Sequence, residues 1–161
     1  MAVDGLKASF APGKNLRDVV KMLQVSVLNN ALQTFGSAVM GTTFTAIHAE
    51  EKGQIHLCHV GDSRCYLYDG SSIQLMTTDH EHFDAGYNGN VLNSYLGIDP
   101  AICEIKIQEE SFTVVPGNRI ILCSDGLYKQ LDDAQIMGII RKNFSNPQGM
   151  VETLCTTAAL D

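Results

Sequence analysis

From residue 15 to residue 36, apolar positions return every three or four residues: Leu16, Val19, Val20, Leu23, Val27 and Leu28, then Ala31, Leu32 and Phe35. That spacing gathers them into one stripe along a helix that faces a core. Asn15 suits the N-cap and Gly36 the stop. From residue 41 the period falls to two. GTTFTAIHA (41–49) is rich in β-branched residues, EEKG (50–53) turns, and QIHLCHV (54–60), RCYLYD (64–69) and IQLMT (73–77) follow as strands. With turns this short, the four strands predict an antiparallel meander covered on one face by the helix, with a hairpin turn at 61–63.

The next stretch, TDHEHFDAGYNGN (78–90), is polar and reads as an exposed loop, and VLNSYLG (91–97) as one helical turn. ICEIKIQEE (102–110) alternates strictly and predicts a strand that SFTVV (111–115) continues. PGN (116–118) is a turn, and RIILCS (119–124) a buried strand. DDAQIMGIIRKNF (132–144) is an amphipathic helix with Ile136, Ile139 and Ile140 inward. NPQGMVETLCTTAAL (146–160) starts another, with Pro147 at the first helical position. Two groups of strands with helices at either end predict an α+β fold of antiparallel sheets flanked by helices.

The chain has 161 residues, which suits a single domain, 1–161, with a sizeable core. Its net charge of −7 argues against a nucleic-acid binder and against adhesion to anionic membranes. It is compatible with carboxylates that await cations. The five cysteines, Cys58, Cys65, Cys103, Cys123 and Cys155, form no CxxC and mostly sit in apolar runs, as free thiols of a reducing compartment do. MAVDGLKASF lacks the apolar core of a signal peptide, and no window holds the ~18 apolar residues of a membrane span. The expected location is the cytoplasm.

Two apolar strands end on an aspartate: Asp62 in HVGDSRCYLYDG (59–70) and Asp125 in RIILCSDGLYKQL (119–131). Hard divalent cations need oxygen ligands, and a strand end can aim a carboxylate while glycine lets the backbone turn or approach the ion. Each Asp, taken by itself, reads first as an ordinary turn residue.

Taken together, GTTFTAI, HVGDSRCYLYDG, LMTTDH, NVLNSYLG and RIILCSDGL occur in the order found in the metal-dependent serine/threonine protein phosphatases, the PPM or type-2C family, which the chain resembles from Gly41 to Leu127. The resemblance implies a four-layer α-β-β-α sandwich. It implies hydrolysis of phosphoserine and phosphothreonine in proteins with two Mn²⁺ or Mg²⁺ ions and a third, weaker one. A metal-activated water is then the nucleophile, with no catalytic side chain beyond it. Asp125 matches the aspartate on the second and third metals, and Asp62 the one linked to the third. Arg64 and Asp79 match an internal ion pair that supports the site. Ser63 and Ser124 read as turn and strand-end hydrogen-bonders and not as nucleophiles, and Ser63 and Gly126 as supporting residues of the site. His59 reads as a core or supporting residue, His80 lies beside the TDH motif, and His48, His56 and His82 have no metal-like spacing.

The pattern also departs from the family. AVDG resembles the end of the family's first metal-binding strand, which implies Asp4 as a bridging ligand and Gly5 as its carbonyl partner. GLKAS, however, lacks the further glycines. The late strand bearing DN is absent. The expected sandwich therefore has terminal strands missing or shortened, and its exposed sheet edges invite a dimer or a segment swap. The alternative function is an inactive pseudophosphatase, the same fold kept as a binding or regulatory module. The expected partner is a phosphoprotein substrate, with no nucleic acid and no membrane.

Overall fold

The structure, a computed structural model, describes residues 15–160. The chain divides into two compact units. One runs up to Ser63 and takes in Thr77–Val115, and the other holds Arg64–Met76 and the chain from Pro116.

In the first unit, helix α1 (Leu16–Phe35) lies over a sheet of order β1-β2-β7, formed by Phe44–Ala49, Gln54–Val60 and Gln108–Thr113. Asn15 caps α1 by accepting from the Asp18 N–H at 2.9 Å, and Gly36 ends it with φ +72°. Leu16, Val19, Val20 and Leu23 pack with Cys58, Val60 and Leu96 to form the core. The predicted stripe lapses beyond Ala31: Leu32 and Phe35 are 45% and 59% exposed. A 20-residue helix is about 30 Å long, whereas strands of six or seven residues reach only about 20–23 Å, so the last turns overrun the sheet. Gln24 is buried because its amide makes two backbone bonds, Nε2 donating to Ile98 O at 2.7 Å and Oε1 accepting from Gly97 N at 2.7 Å.

In the second unit the sheet order is β4-β3-β8, from Ile73–Leu75, Arg64–Tyr68 and Arg119–Cys123. Three helices follow: α2 (Asp125–Tyr128), α3 (Asp133–Lys142) and α4 (Pro147–Ala158). Tyr66, Tyr68, Leu131, Ile136, Ile140 and Leu154 are its main core residues. Asp132 and Gln135 form a reciprocal capping box on α3, and Pro147 opens α4 as predicted.

The four-strand meander is not formed. β2 pairs with β1 and β7, and β3 with β4 and β8. Residues 61–63 are therefore not a hairpin turn but the point where the chain passes from one sheet to the other. Alternation marks a strand without naming its partner, and β7 and β8 arrive some fifty residues later in sequence than β2 and β3. The segment expected as a loop holds a hairpin, β5 (Glu81–Asp84) with β6 (Gly89–Leu92), turned at Asn88 with φ +51°. Residues 91–97 form no helical turn: they finish β6 and bridge Leu96 to Thr42. The predicted strand at 102–110 begins only at Gln108. Before it, the buried Ser94 hydroxyl accepts from Lys106 N at 2.8 Å and donates to Lys106 O at 3.2 Å, standing in for a neighbouring strand.

Candidate metal-binding loops

Each of the two aspartates singled out in the sequence sits at the end of a strand, in a different unit. In the first unit, β2 delivers Gly61, Asp62 and Ser63. Gly61 has φ +109°, and an added Cβ would lie 2.5 Å from Thr43 Cγ2 and 2.7 Å from Thr43 Cβ, so only glycine fits. Its N–H donates to His80 Nδ1 at 3.1 Å, while the His80 backbone N–H donates to Gly61 O at 2.8 Å. On the other side of Asp62, the hydroxyls of Ser63 and Thr43 share a 2.9 Å hydrogen bond, and Thr45 Oγ1 donates to Ser63 O at 3.1 Å. Thr45 Oγ1 also lies 2.9 Å from His59 Nδ1. Asp62 itself is half-buried.

His59 is fully buried, and its ring lies 5.0 Å from that of His80. Burial pushes its pKa down to about 4, with the neighbouring His80 acting in the same direction. Hydrogen bonding to the Gly61 and Thr78 backbone and the charge of Asp79 oppose the shift. Nε2 has no well-formed hydrogen bond among the described residues. His80 is likewise held below the ordinary histidine value, by burial and by Lys106, against Asp79. Both rings are neutral at pH 7, as His80 must be to accept from Gly61.

In the second unit, β8 ends at Cys123, Ser124 takes the N-cap position, and Asp125 opens the short helix α2. Leu127 and Leu131 anchor that turn in the core. Asp125 is half exposed, and its Oδ2 accepts from Lys129 Nζ at 2.8 Å, one helical turn on. That bond holds the carboxyl below the usual range, so it is ionised at neutral pH. Arg64, at the start of β3, lays its guanidinium 3.6 Å from the Tyr128 ring centre and donates to Tyr66 OH at 3.0 Å. It therefore ties the strand to the helix that carries Asp125. An added Cβ on Gly126 would meet only Ser124 Oγ, at 3.7 Å, so folding does not demand glycine there. The cavity beside β8, about 360 Å³, is lined mainly by apolar groups such as Ile121, Leu127, Val151 and Leu154, and offers little to a phosphate.

Among the described residues, no three His, Cys, Asp or Glu side chains gather into a group able to hold a metal. What they offer is hard carboxylate oxygen on fixed turns, a donor type that fits Mg²⁺ or Mn²⁺ and not a thiophilic ion. Asp4 and Gly5, expected as further ligands, lie outside the described residues. Thr43, Thr45 and Lys129 were not singled out from the sequence. The two threonines could have been, because they alternate in GTTFTAI and so share one face.

The fold has close counterparts among solved structures. A serine/threonine phosphatase of S. agalactiae superposes with a TM-score of 0.82 at 19% identity, covering 98% of this chain and 72% of that one. The catalytic domain of the serine threonine protein phosphatase PstP, in complex with two manganese ions, gives 0.73 at 21% identity, covering 98% and 71%. These are mixed α and β folds of antiparallel sheets and helices, as this chain is. In sequence, the serine/threonine phosphatase stp of Listeria welshimeri is 30% identical over 123 residues, covering 66% of this chain. This chain spans 46% of the length of that relative. Residues 6–159 match the family Stage II sporulation protein E (SpoIIE), of PPM type, and the chain belongs to it.

Proposed function

We propose that this chain is a metal-dependent phosphatase domain that hydrolyses phosphoserine and phosphothreonine in proteins, using two Mn²⁺ or Mg²⁺ ions and a third, weaker one. The observation that carries the reading is family membership across residues 6–159; Asp62 and Asp125 are assigned as ligands on their resemblance to the family's motifs. Bound ions would offset the charge of the phosphate dianion and activate the attacking water. The chain's own residues do the rest. Asp125 stays ionised beside Lys129 and serves as one ligand, and Arg64 steadies its helix through Tyr128. Asp62 serves as a ligand on the loop bounded by Gly61 and Ser63, with Asp79 in support. Asp4 and Gly5 complete the donor set in this reading.

Among the described residues, no helix is long and apolar enough to cross a membrane. None of the five cysteines is in a disulfide, which supports a cytoplasmic setting. β8 pairs on one side only among the described residues, and we assign self-association to such edges. Sedimentation showing only monomer at high concentration would remove that element.

The test of the activity is hydrolysis of p-nitrophenyl phosphate and of a phosphothreonine peptide with added Mn²⁺. Turnover should need the metal, cease with chelator, and fall at least a hundredfold in Asp125→Asn. A folded chain with no metal-dependent turnover would overturn the reading in favour of a binding module.

A further inference from the structure

Asp62 lies between two residues that are tethered from outside their own loop. Gly61 is bonded through both its N–H and its C=O to His80. Ser63 is bonded through its carbonyl to Thr45 and through its hydroxyl to Thr43. The Thr43 methyl occupies the space a side chain on Gly61 would need. The two tethers are joined behind the loop, because Thr45 Oγ1 also meets His59 Nδ1 and the His59 ring lies against His80. Thr45 and His59 face each other across β1 and β2, so the sheet register sets this arrangement. A collar of four side chains thus surrounds a loop of three residues.

We propose that Thr45 and His80 are positioning residues for Asp62: the collar fixes the backbone on both sides of Asp62, aims its carboxylate, and thereby sets how tightly the chain holds a hard divalent cation. The inference rests on the reading of Asp62 as a cation ligand. A loop left to move would have to be ordered by the ion itself, and groups that orient a ligand commonly govern affinity by ten- to a hundredfold. The chemistry asked of each residue is specific. His80 must offer a bare Nδ1 to the Gly61 N–H. Thr45 must offer a hydroxyl to the Ser63 carbonyl.

The experiment is a Mn²⁺ titration of the full chain, followed by electron paramagnetic resonance of free Mn²⁺, and it reads the binding step that Asp62→Asn removes or weakens. Thr45→Val and His80→Leu should each weaken that step about tenfold. Thr45→Ser keeps the hydroxyl, and His80→Asn places Oδ1 where Nδ1 was, so both should stay within about twofold of the parent. In an Asp62→Asn background, Thr45→Val should cost nothing further. Should His80→Leu not fold, His80→Gln displaces the acceptor by one methylene and should give the same tenfold loss. Unchanged affinity in Thr45→Val and His80→Leu, with Asp62→Asn still weakening it, would overturn the collar alone. An equal loss with and without Asp62 would also overturn it, by marking general destabilisation. Unchanged affinity in Asp62→Asn would overturn the ligand assignment and the collar with it.

Discussion

Gly61 and Gly126 each neighbour one of the acidic positions, yet the structure separates them. At Gly61 the backbone has φ +109° and a Cβ would press on Thr43 from 2.5 Å. Gly61→Ala should therefore destabilise the protein by about 3 kcal/mol or prevent folding, read by urea unfolding. Gly126 stands in a helical turn where an added Cβ would make only an ordinary contact with Ser124 Oγ, so Gly126→Ala should change stability by less than about 1 kcal/mol. His59 gives a pH signature. Its folded pKa, about 4, lies below the ordinary histidine value of 6.5. Above pH 6.5 neither folded nor unfolded chain protonates it. Between 6.5 and 4 the unfolded chain takes up a proton that the folded chain refuses, so stability falls as pH falls through that window. Unfolding free energies measured from pH 7 to 4.5 should lose part of this slope in His59→Gln. An unchanged slope would assign the acid sensitivity elsewhere. At this scale the sequence shows which aspartates end strands. It does not show that Thr45 and His80 bond the residues flanking Asp62, because those bonds join segments eighteen or more residues apart in the chain.

Elements read from the sequence succeed where their signals are local. The Asn15 and Gly36 caps of α1, the Asp132 start of α3 and Pro147 at the head of α4 each act within one turn. Asp132→Ala removes an acceptor for the Gln135 N–H at 2.8 Å and breaks the reciprocal box. It should cost about 1 kcal/mol, which lowers Tm by about 2–4 °C in a chain of this size. Thermal melts decide it, and no shift would mean that α3 is held by Ile136 and Ile140 alone. Elements fail to be legible where pairing is distant. Nothing in QIHLCHV or RCYLYD reveals that each will take a later strand as its second neighbour. The β5–β6 hairpin was readable in principle from Asn88–Gly89, a dipeptide suited to a tight turn, but its polar strands hid the alternation. The exposed end of α1 shows the reverse: a regular apolar stripe states which face a helix would bury, not how far the sheet beneath it extends.

At the scale of the molecule, each unit is a helical layer on a three-stranded antiparallel sheet with a core of its own. The ordered motifs made the family legible, while Asp4 and Gly5, expected as ligands, fall outside the described residues. The proposed binding of hard cations by the folded form of a chain of net charge −7 has a thermodynamic consequence. Ions that bind only the native state add stability as RT ln(1 + [L]/Kd), about 2.7 kcal/mol when Mn²⁺ stands at a hundred times its dissociation constant. In a chain of this size that raises Tm by about 5–10 °C. Asp125→Asn removes the charge of the proposed ligand and should reduce the rise by at least half, through weaker binding. Lys129→Ala removes a cation that holds the same carboxylate at 2.8 Å, so it should not reduce the rise. Mn²⁺ added to the parent, Asp125→Asn and Lys129→Ala in differential scanning calorimetry separates specific ligation from general charge neutralisation. Bulk screening would stabilise the parent and Asp125→Asn alike, and equal Mn²⁺ and sodium effects at matched ionic strength would refute ligation at Asp125. A rise confined to Mn²⁺ or Mg²⁺ and lost with Asp125 can come only from carboxylate coordination by the native chain.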